Sequence, residues 1–194
     1  MNPTHTHHAS RARASFLAVV LITGGAALAA CGGSSSGPTA TTQAASGAQI
    51  LPVADNPIVN TSTVQALKID SVLVENNVDA AGKAVTDHLE IALTNSGTAP
   101  LTAFEVFYTF TDPITNITEN YFAQLPDTFT IPAGGQRVAH FDNSGAADHF
   151  PVSDFSLYYT DTNALDVTVT VSATDAAVQT ATVQKDAGGP ETAD

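Results

Sequence analysis

Few residues in this chain of 194 are placed to do chemistry. Cys31 is the sole cysteine, so no disulfide can form within the chain, and its thiol is free to act as a nucleophile. It closes the uncharged run Phe16 to Ala30 and is followed at once by Gly32 and Gly33. Asp142-Asn143-Ser144-Gly145 with Asp148, and Asp161-Thr162-Asn163 with Asp166, supply hard oxygen ligands of the kind calcium takes. Neither follows the alternating twelve-residue loop with a terminal bidentate Glu, and Asx residues are also the ordinary builders of turns. His140, Asp142 and His149 offer zinc or copper donors without a spacing signature; on a strand, His140 and Asp142 share a face. Copper(I) carriage needs soft sulfur, yet the only methionine is Met1. His88 alternates outward beside Leu89. No G-x-S-x-G elbow, HExxH pair or Gly-rich phosphate loop is present, and nothing singles out a carboxylate pair. With no Trp, the stacking candidates for a sugar are Tyr108, Tyr121, Tyr158 and Tyr159, and strand alternation sends Tyr158 and Tyr159 to opposite faces. The sequence thus assigns no catalytic residue, no metal ligand and no cofactor.

The surroundings of Cys31 point to modification of its thiol. Residues 1–15 carry Arg11 and Arg13 and no acid. The fifteen residues FLAVVLITGGAALAA that follow are short for a membrane span, which needs about 20, and have the length and polarity of a secretory h-region. Leu28-Ala29-Ala30-Cys31 resembles the lipobox of bacterial lipoproteins. The resemblance implies that residues 1–30 are a signal peptide, that Leu28, Ala29 and Ala30 are what the signal peptidase recognises, and that Cys31 receives a diacylglyceryl group and becomes the first mature residue. The membrane is then a partner through two acyl chains, which anchor stably where one does not. Arg11 and Arg13 are split by Ala12, which does not support a twin-arginine route, and His5, His7 and His8 fall in the discarded segment. The low Lys, the high Ala and Thr and the CGGSSSG start are similar to lipoproteins of high-GC Gram-positive bacteria. The expected location is therefore extracytoplasmic, on the outer leaflet of the cell membrane. In a diderm host Gly32 is not the Asp associated with inner-membrane retention, and the protein would face the periplasm or sit in the outer membrane.

The elements that must position any site lie further on. Residues 32–49 contain no charge, aromatic or branched aliphatic side chain and read as a flexible tether. The stretch 50–63, ILPVADNPIVNTST, either lies along the domain or extends the tether; a spacer of about 30 residues reaches roughly 30 Å as a coil. Taken as a whole, 31–63 is the lipidated cysteine and tether, 64–183 a single domain, and 184–194 a disordered tail. The sequons Asn60-Thr61-Ser62 and Asn116-Ile117-Thr118 are read as fortuitous in a bacterial setting. Within 64–183, Leu89, Ile91 and Leu93 alternate with Glu90 and Ala92. The same period runs through Phe104, Val106, Tyr108 and Phe110, through Phe155, Leu157 and Tyr159, and through Leu165, Val167, Val169 and Val171. Weaker strands are expected at Leu67, Ile69 and Leu73, around Val138, and over Val178 to Val183. Asn95-Ser96-Gly97, Asp112-Pro113, Pro132 to Gly135, Asn143 to Gly145 and Asp161 to Asn163 punctuate the runs as turns. The chain is predicted all-β, a single two-sheet antiparallel sandwich of seven to nine strands.

The succession LEIALTNSGTAPLTAFEVFYTFTD, then FTIPAGGQRVAHFD, resembles the immunoglobulin-like sandwich of bacterial envelope proteins. Phe155-Ser156-Leu157-Tyr158 is similar to the FxLYD motif of one such group, with Tyr159 where that motif has Asp. The resemblance implies the fold and no functional residue. All 19 acidic residues follow Cys31, with only Lys68, Lys83, Arg137 and Lys185 to balance them, so the chain beyond the signal peptide carries a net charge of −15. That charge excludes nucleic acid as a partner and disfavours lying on anionic lipid. The expected function is a membrane-anchored, non-catalytic interaction module of the cell envelope, docking a protein partner of unknown identity. The alternative is an extracytoplasmic binder of a glycan or small ligand, with or without the help of calcium. If Cys31 carries the anchor, Cys31→Ser abolishes fatty-acid labelling and releases the chain from membranes; a labelled, membrane-bound Cys31→Ser protein contradicts the lipobox reading.

Overall fold

The computed structural model describes residues 50–75, 78–79, 89–188 and 190–191. Leu28, Ala29, Ala30, Cys31, Lys83 and His88 lie outside them, as do the 1–30 and 32–49 segments. In chain order the elements are β1 (Leu67–Val74), β2 (Val78–Asp79), β3 (Leu89–Asn95), β4 (Glu105–Thr111), β5 (Thr118–Gln124), β6 (Gln136–Phe141), β7 (His149–Phe150), α1 (Leu157–Thr160), β8 (Leu165–Ser172), β9 (Gln179–Lys185) and β10 (Pro190–Glu191). They form one four-stranded sheet in the order β1-β3-β6-β7 and a second in the order β5-β4-β8-β9; β10 pairs separately with β2. Every pairing in the two large sheets is antiparallel except β6 with β7. The chain changes sheet between β3 and β4, again between β5 and β6, and again before β8. The product is the two-sheet, mostly antiparallel sandwich expected from the alternation.

That alternation decides what is buried. In β3 the pattern of burial is strict, with Leu89, Ile91 and Leu93 inside and Glu90 and Ala92 half-exposed. In β4 Val106, Tyr108 and Phe110 face inward, and in β8 Leu165, Val167, Val169 and Val171 do the same. Tyr108 is the hub of the aromatic core. Its ring stacks on Tyr121 at 5.4 Å and meets Phe110 edge-on at 5.5 Å within its own sheet. It also meets Phe141 of the facing sheet at 5.3 Å. Phe141 touches Phe150 at 5.6 Å, and Phe150 touches Phe129, so one aromatic chain ties both sheets to the 125–131 connection. In β6 the core positions are Ala139 and Phe141, while Val138 is only half-buried.

One sequence expectation fails. Phe155, Leu157 and Tyr159 do not line one face of a strand. The segment turns instead into the single-turn helix α1, closed by Tyr159 N–H and Thr160 N–H donating to the Ser156 carbonyl. Leu157 and Tyr158 are buried side by side, Tyr159 is half-buried, and Phe155 is 74 % exposed. Adjacent residues can point inward together on a helical turn but not on a strand. The Tyr158 hydroxyl donates to the Glu75 carbonyl, and the Leu157 N–H donates to the Glu119 carboxylate, which fixes the turn across the end of the sandwich.

Asn95 explains the first turn. It is fully buried at the end of β3, where its amide donates to the carbonyls of Ala99 and Ile131 and its oxygen accepts the Gly97 N–H. A Cβ on Gly97 would meet that of Ala66 at 2.9 Å, so glycine is needed where the strands approach. The chain engages the sandwich before residue 64. Val53 N–H donates to the Asn120 carbonyl, and the Asn120 amide donates to the Ala54 carbonyl. The Asn60 amide donates to Ser172 Oγ and to the carbonyls of Ala173 and Ala176. Residues 53–60 thus pass from the edge strand β5 to the end of β8 as a strap. At the other terminus β9 runs to Lys185, which is fully buried.

Truncating the ring that joins the sheets should be costly. Phe141→Ala is expected to lower unfolding stability by about 3–5 kcal/mol in a urea titration, the usual cost of deleting a buried Phe; a loss under 1 kcal/mol would mean the intersheet contact carries little.

Candidate functional site

The clusters marked by the sequence come together, but as structure. Asp142 follows directly on β6 and is almost without exposed surface; one carboxylate oxygen accepts the Ser144 N–H at 2.7 Å and the other lies 2.6 Å from His149 Nδ1. Asn143 bonds Asp154 and both backbone groups of Val152. Asp148, at φ 64°, receives two hydrogen bonds from the Arg137 guanidinium, at 2.6 and 2.8 Å. That guanidinium also donates to the carbonyls of Thr128 and Thr130 and lies 4.4 Å over the Phe129 ring. The oxygens a calcium ion would take are occupied by the protein's own donors.

His140 and His149 are drawn together by their pairing across β6 and β7. Their rings stack at 4.5 Å and 9°. Ring-nitrogen lone pairs lie in the ring planes, so two parallel stacked rings do not aim them at one ion, as a tetrahedral metal site would need. Glu90 approaches His140 Nδ1 at 3.6 Å. Among the described residues no three His, Cys, Asp or Glu side chains are grouped to hold a metal.

The second Asx cluster is likewise a turn. Asp161 accepts the Asn163 N–H, Asp166 accepts the Gln184 amide, and the Asn163 amide donates to Asp112. Asp112, covered at the start of the β4–β5 hairpin, also accepts the Thr115 hydroxyl at 2.6 Å and the Ile114 N–H at 2.7 Å. The Thr115 hydroxyl above all, then the Ile114 N–H and the Asn163 amide, hold its carboxyl far below the ordinary 3.8, against the opposing effect of burial.

The four tyrosines do not form a sugar platform. Tyr108, Tyr121 and Tyr158 are buried, and burial pushes the hydroxyls of Tyr108 and Tyr121 well above their ordinary pKa. Tyr159 is half-buried, and burial together with Asp154 and Asp142 raises it too.

A concave surface lies elsewhere. A groove of about 550 Å³ opens where the strap crosses the ends of β4, β5 and β8. Asn60 and Thr61 of the strap form one wall, Thr174 and Asp175 of the turn after β8 form another, and Glu105 and Gln124 lie along the floor. Glu105, paired directly with Gln124 and Ser172, belongs to the outward row of its sheet. Among the described residues, the side chains of Thr61, Glu105, Gln124, Thr174 and Asp175 make no hydrogen bond to the protein; Asn60 is spent on the strap. Ala103 (φ 49°) and Asp175 (φ 60°), two of the non-glycine residues in the left-handed region, both border the groove. Such backbone costs about 1–2 kcal/mol for a residue with a Cβ. None of this was marked by sequence spacing, because the lining comes from four separate segments. The local hint was the outward half of the alternation, Glu105 and Phe107 on β4.

No family model matches the sequence, and no curated protein does. Among solved structures the chain is similar to red sea bream transglutaminase, with TM-score 0.36 and 13 % identity over 66 % of this chain and 17 % of that one. It is also similar to a Pseudomonas fluorescens alkylpurine DNA glycosylase bound to DNA containing an abasic site analogue, with TM-score 0.30 and 16 % identity over 63 % of this chain and 31 % of that one. The chain spans less than a third of either protein, and likeness at this level carries no functional argument.

Asp112 makes the acid limb testable. A carboxyl held below its unfolded value contributes stability above that value, near pH 4, and loses it as the pH falls toward the folded one. Asp112→Asn is therefore expected to be less stable than wild type at pH 7, with the gap in urea midpoint narrowing from pH 5 to pH 2. A gap independent of pH would contradict the ionised, triply bonded carboxylate.

Proposed function

We propose that this chain is a lipid-anchored, extracytoplasmic binding module of the cell envelope, working without covalent chemistry and presenting the groove beneath the strap to its ligand. The observation that carries this reading is a contrast in hydrogen bonding. The histidine and Asx clusters are engaged by partners inside the protein, whereas five polar side chains around the groove make no hydrogen bond to it. A groove of this volume falls in the range of small-molecule sites. The lipobox resemblance around Cys31 supplies the anchor, and the net charge of −15 beyond it keeps the module away from nucleic acid and anionic lipid.

A second reading has its own support. Ile114 is 72 % exposed and Ile117 51 % exposed in the β4–β5 hairpin, and Phe155 is 74 % exposed on the segment before α1. The Asp112–Asn163 and Glu119–Leu157 bonds hold these two segments at the same end of the sandwich, opposite the groove. That end would suit a protein partner.

Photo-crosslinking in intact cells with a carbene-generating reagent, which inserts into C–H and O–H bonds of a saccharide as well as of a protein, separates the two. The first reading expects wild-type adducts that disappear both in Cys31→Ser and in the triple variant Glu105→Ala, Gln124→Ala, Asp175→Ala. Adducts that survive the triple variant but vanish in Ile114→Ser with Phe155→Ser overturn it in favour of a protein-docking end. Wild-type cells without any adduct contradict both.

A further inference from the structure

We infer that the groove takes a neutral saccharide, an inference that rests on the binding-module reading above and names the ligand class for the same surface. The lining is mixed in hydrogen-bonding sense. The carboxylates of Glu105 and Asp175 only accept, the Gln124 amide donates and accepts, and the hydroxyls of Thr61 and Thr174 do both. A polyamine or other ammonium ligand only donates, and would leave the amide and hydroxyl donors without acceptors. An anionic ligand would meet two carboxylates with no Lys or Arg in the lining. A sugar ring carries hydroxyls that donate and accept at several points within a small volume, which matches both halves of the lining.

The floor of the groove continues onto a second feature that sugars use. Phe107 and Phe122 are direct cross-strand partners on β4 and β5, one outward position along from Glu105 and Gln124. Two residues of strand separate the rows by roughly 6.5–7 Å. Both rings are half-buried, in contrast to the fully buried Tyr108 and Tyr121 pair behind them. Apolar surface beside uncommitted polar groups complements a pyranose, with its C–H face and its hydroxyl rim. Alongside and beyond the pair this face carries only uncharged polar side chains, with Thr170 and Thr180 in the row of the pair and Asn120, Thr109, Thr168 and Thr182 in the next. A chain of sugar units leaving the groove over Phe107 and Phe122 would meet no charge until Asp166 at the far end of β8.

The test is binding of the full chain to a printed array of neutral oligosaccharides, among them β-1,4-linked N-acetylglucosamine, glucose and mannose oligomers. Polygalacturonate serves as an acidic counterpart, and spermidine is titrated separately. Saturable binding to a neutral member is expected, weakened at least tenfold by Gln124→Ala and by Phe107→Leu. Ile114→Ser, at the end of the sandwich opposite the groove, should leave it unchanged. Gln124 is exposed, so its loss should not disturb folding, and an unchanged urea midpoint verifies this. A blank array, or neutral binding indifferent to both variants, overturns the saccharide assignment. Spermidine or polygalacturonate binding that Gln124→Ala or Asp175→Asn alters also overturns it, while leaving the groove as the binding surface. If, in addition, the cellular adducts ignore the groove variants, the binding-module reading fails as well.

Discussion

The contact on which the rest of the molecule depends is that of Tyr108 with Phe141 across the sandwich. Tyr108 lies at the centre of β4, a strand paired on both sides, and brings Phe110 and Tyr121 into the same cluster. Once Val106, Tyr108 and Phe110 are committed inward, the pleat leaves no choice for their neighbours: Glu105, Phe107, Thr109 and Thr111 must face out. The register of β5 and β8 then places Gln124 and Ser172 beside Glu105, and Phe122 beside Phe107. The floor of the groove is in this sense the reverse side of the core. A register slip that exposed Tyr108 would also bury Glu105.

The walls have a different origin. They are made by the strap and by the turn after β8, joined through Asn60, whose amide meets three acceptors on the far side of the sheet. The strap also runs beside β5, where Val53 occupies a backbone carbonyl on an otherwise open edge. Covering an edge strand in this way limits unwanted pairing with other chains.

Much of the fold was legible because it is written in period two. The inward rows of β3, β4 and β8 could be named residue by residue, and the turns at Asn95, Asp112 and Asn143 follow from Asx and Gly chemistry. Phe155 to Tyr159 misled because the same alternation of apolar residues fits a short strand and a helical turn when the run is only five residues long. Among the described residues the segment pairs with no strand, and it closes on itself around the Ser156 carbonyl. The candidate sites were less legible. His140, Asp142 and His149 stand out by residue type, and they do meet, but stacking and hydrogen bonding consume them. Thr61, Glu105, Gln124 and Asp175 are ordinary polar residues spread over more than a hundred positions, and only sheet register and the strap's path make them neighbours.

The groove exists only if the strap is docked, and native-state hydrogen exchange measures that most directly. The account predicts that the Val53 and Ser62 amides, which donate to Asn120 and to the Asn60 side chain, exchange well below the free-chain rate. It predicts the same of Ala177, whose N–H is held by the Val64 carbonyl. Asn60→Ala should release protection at Ser62 while leaving the Tyr108 amide protected. Exchange of Val53 and Ser62 at the free-chain rate in the wild type would contradict the account, because the floor would then have no wall.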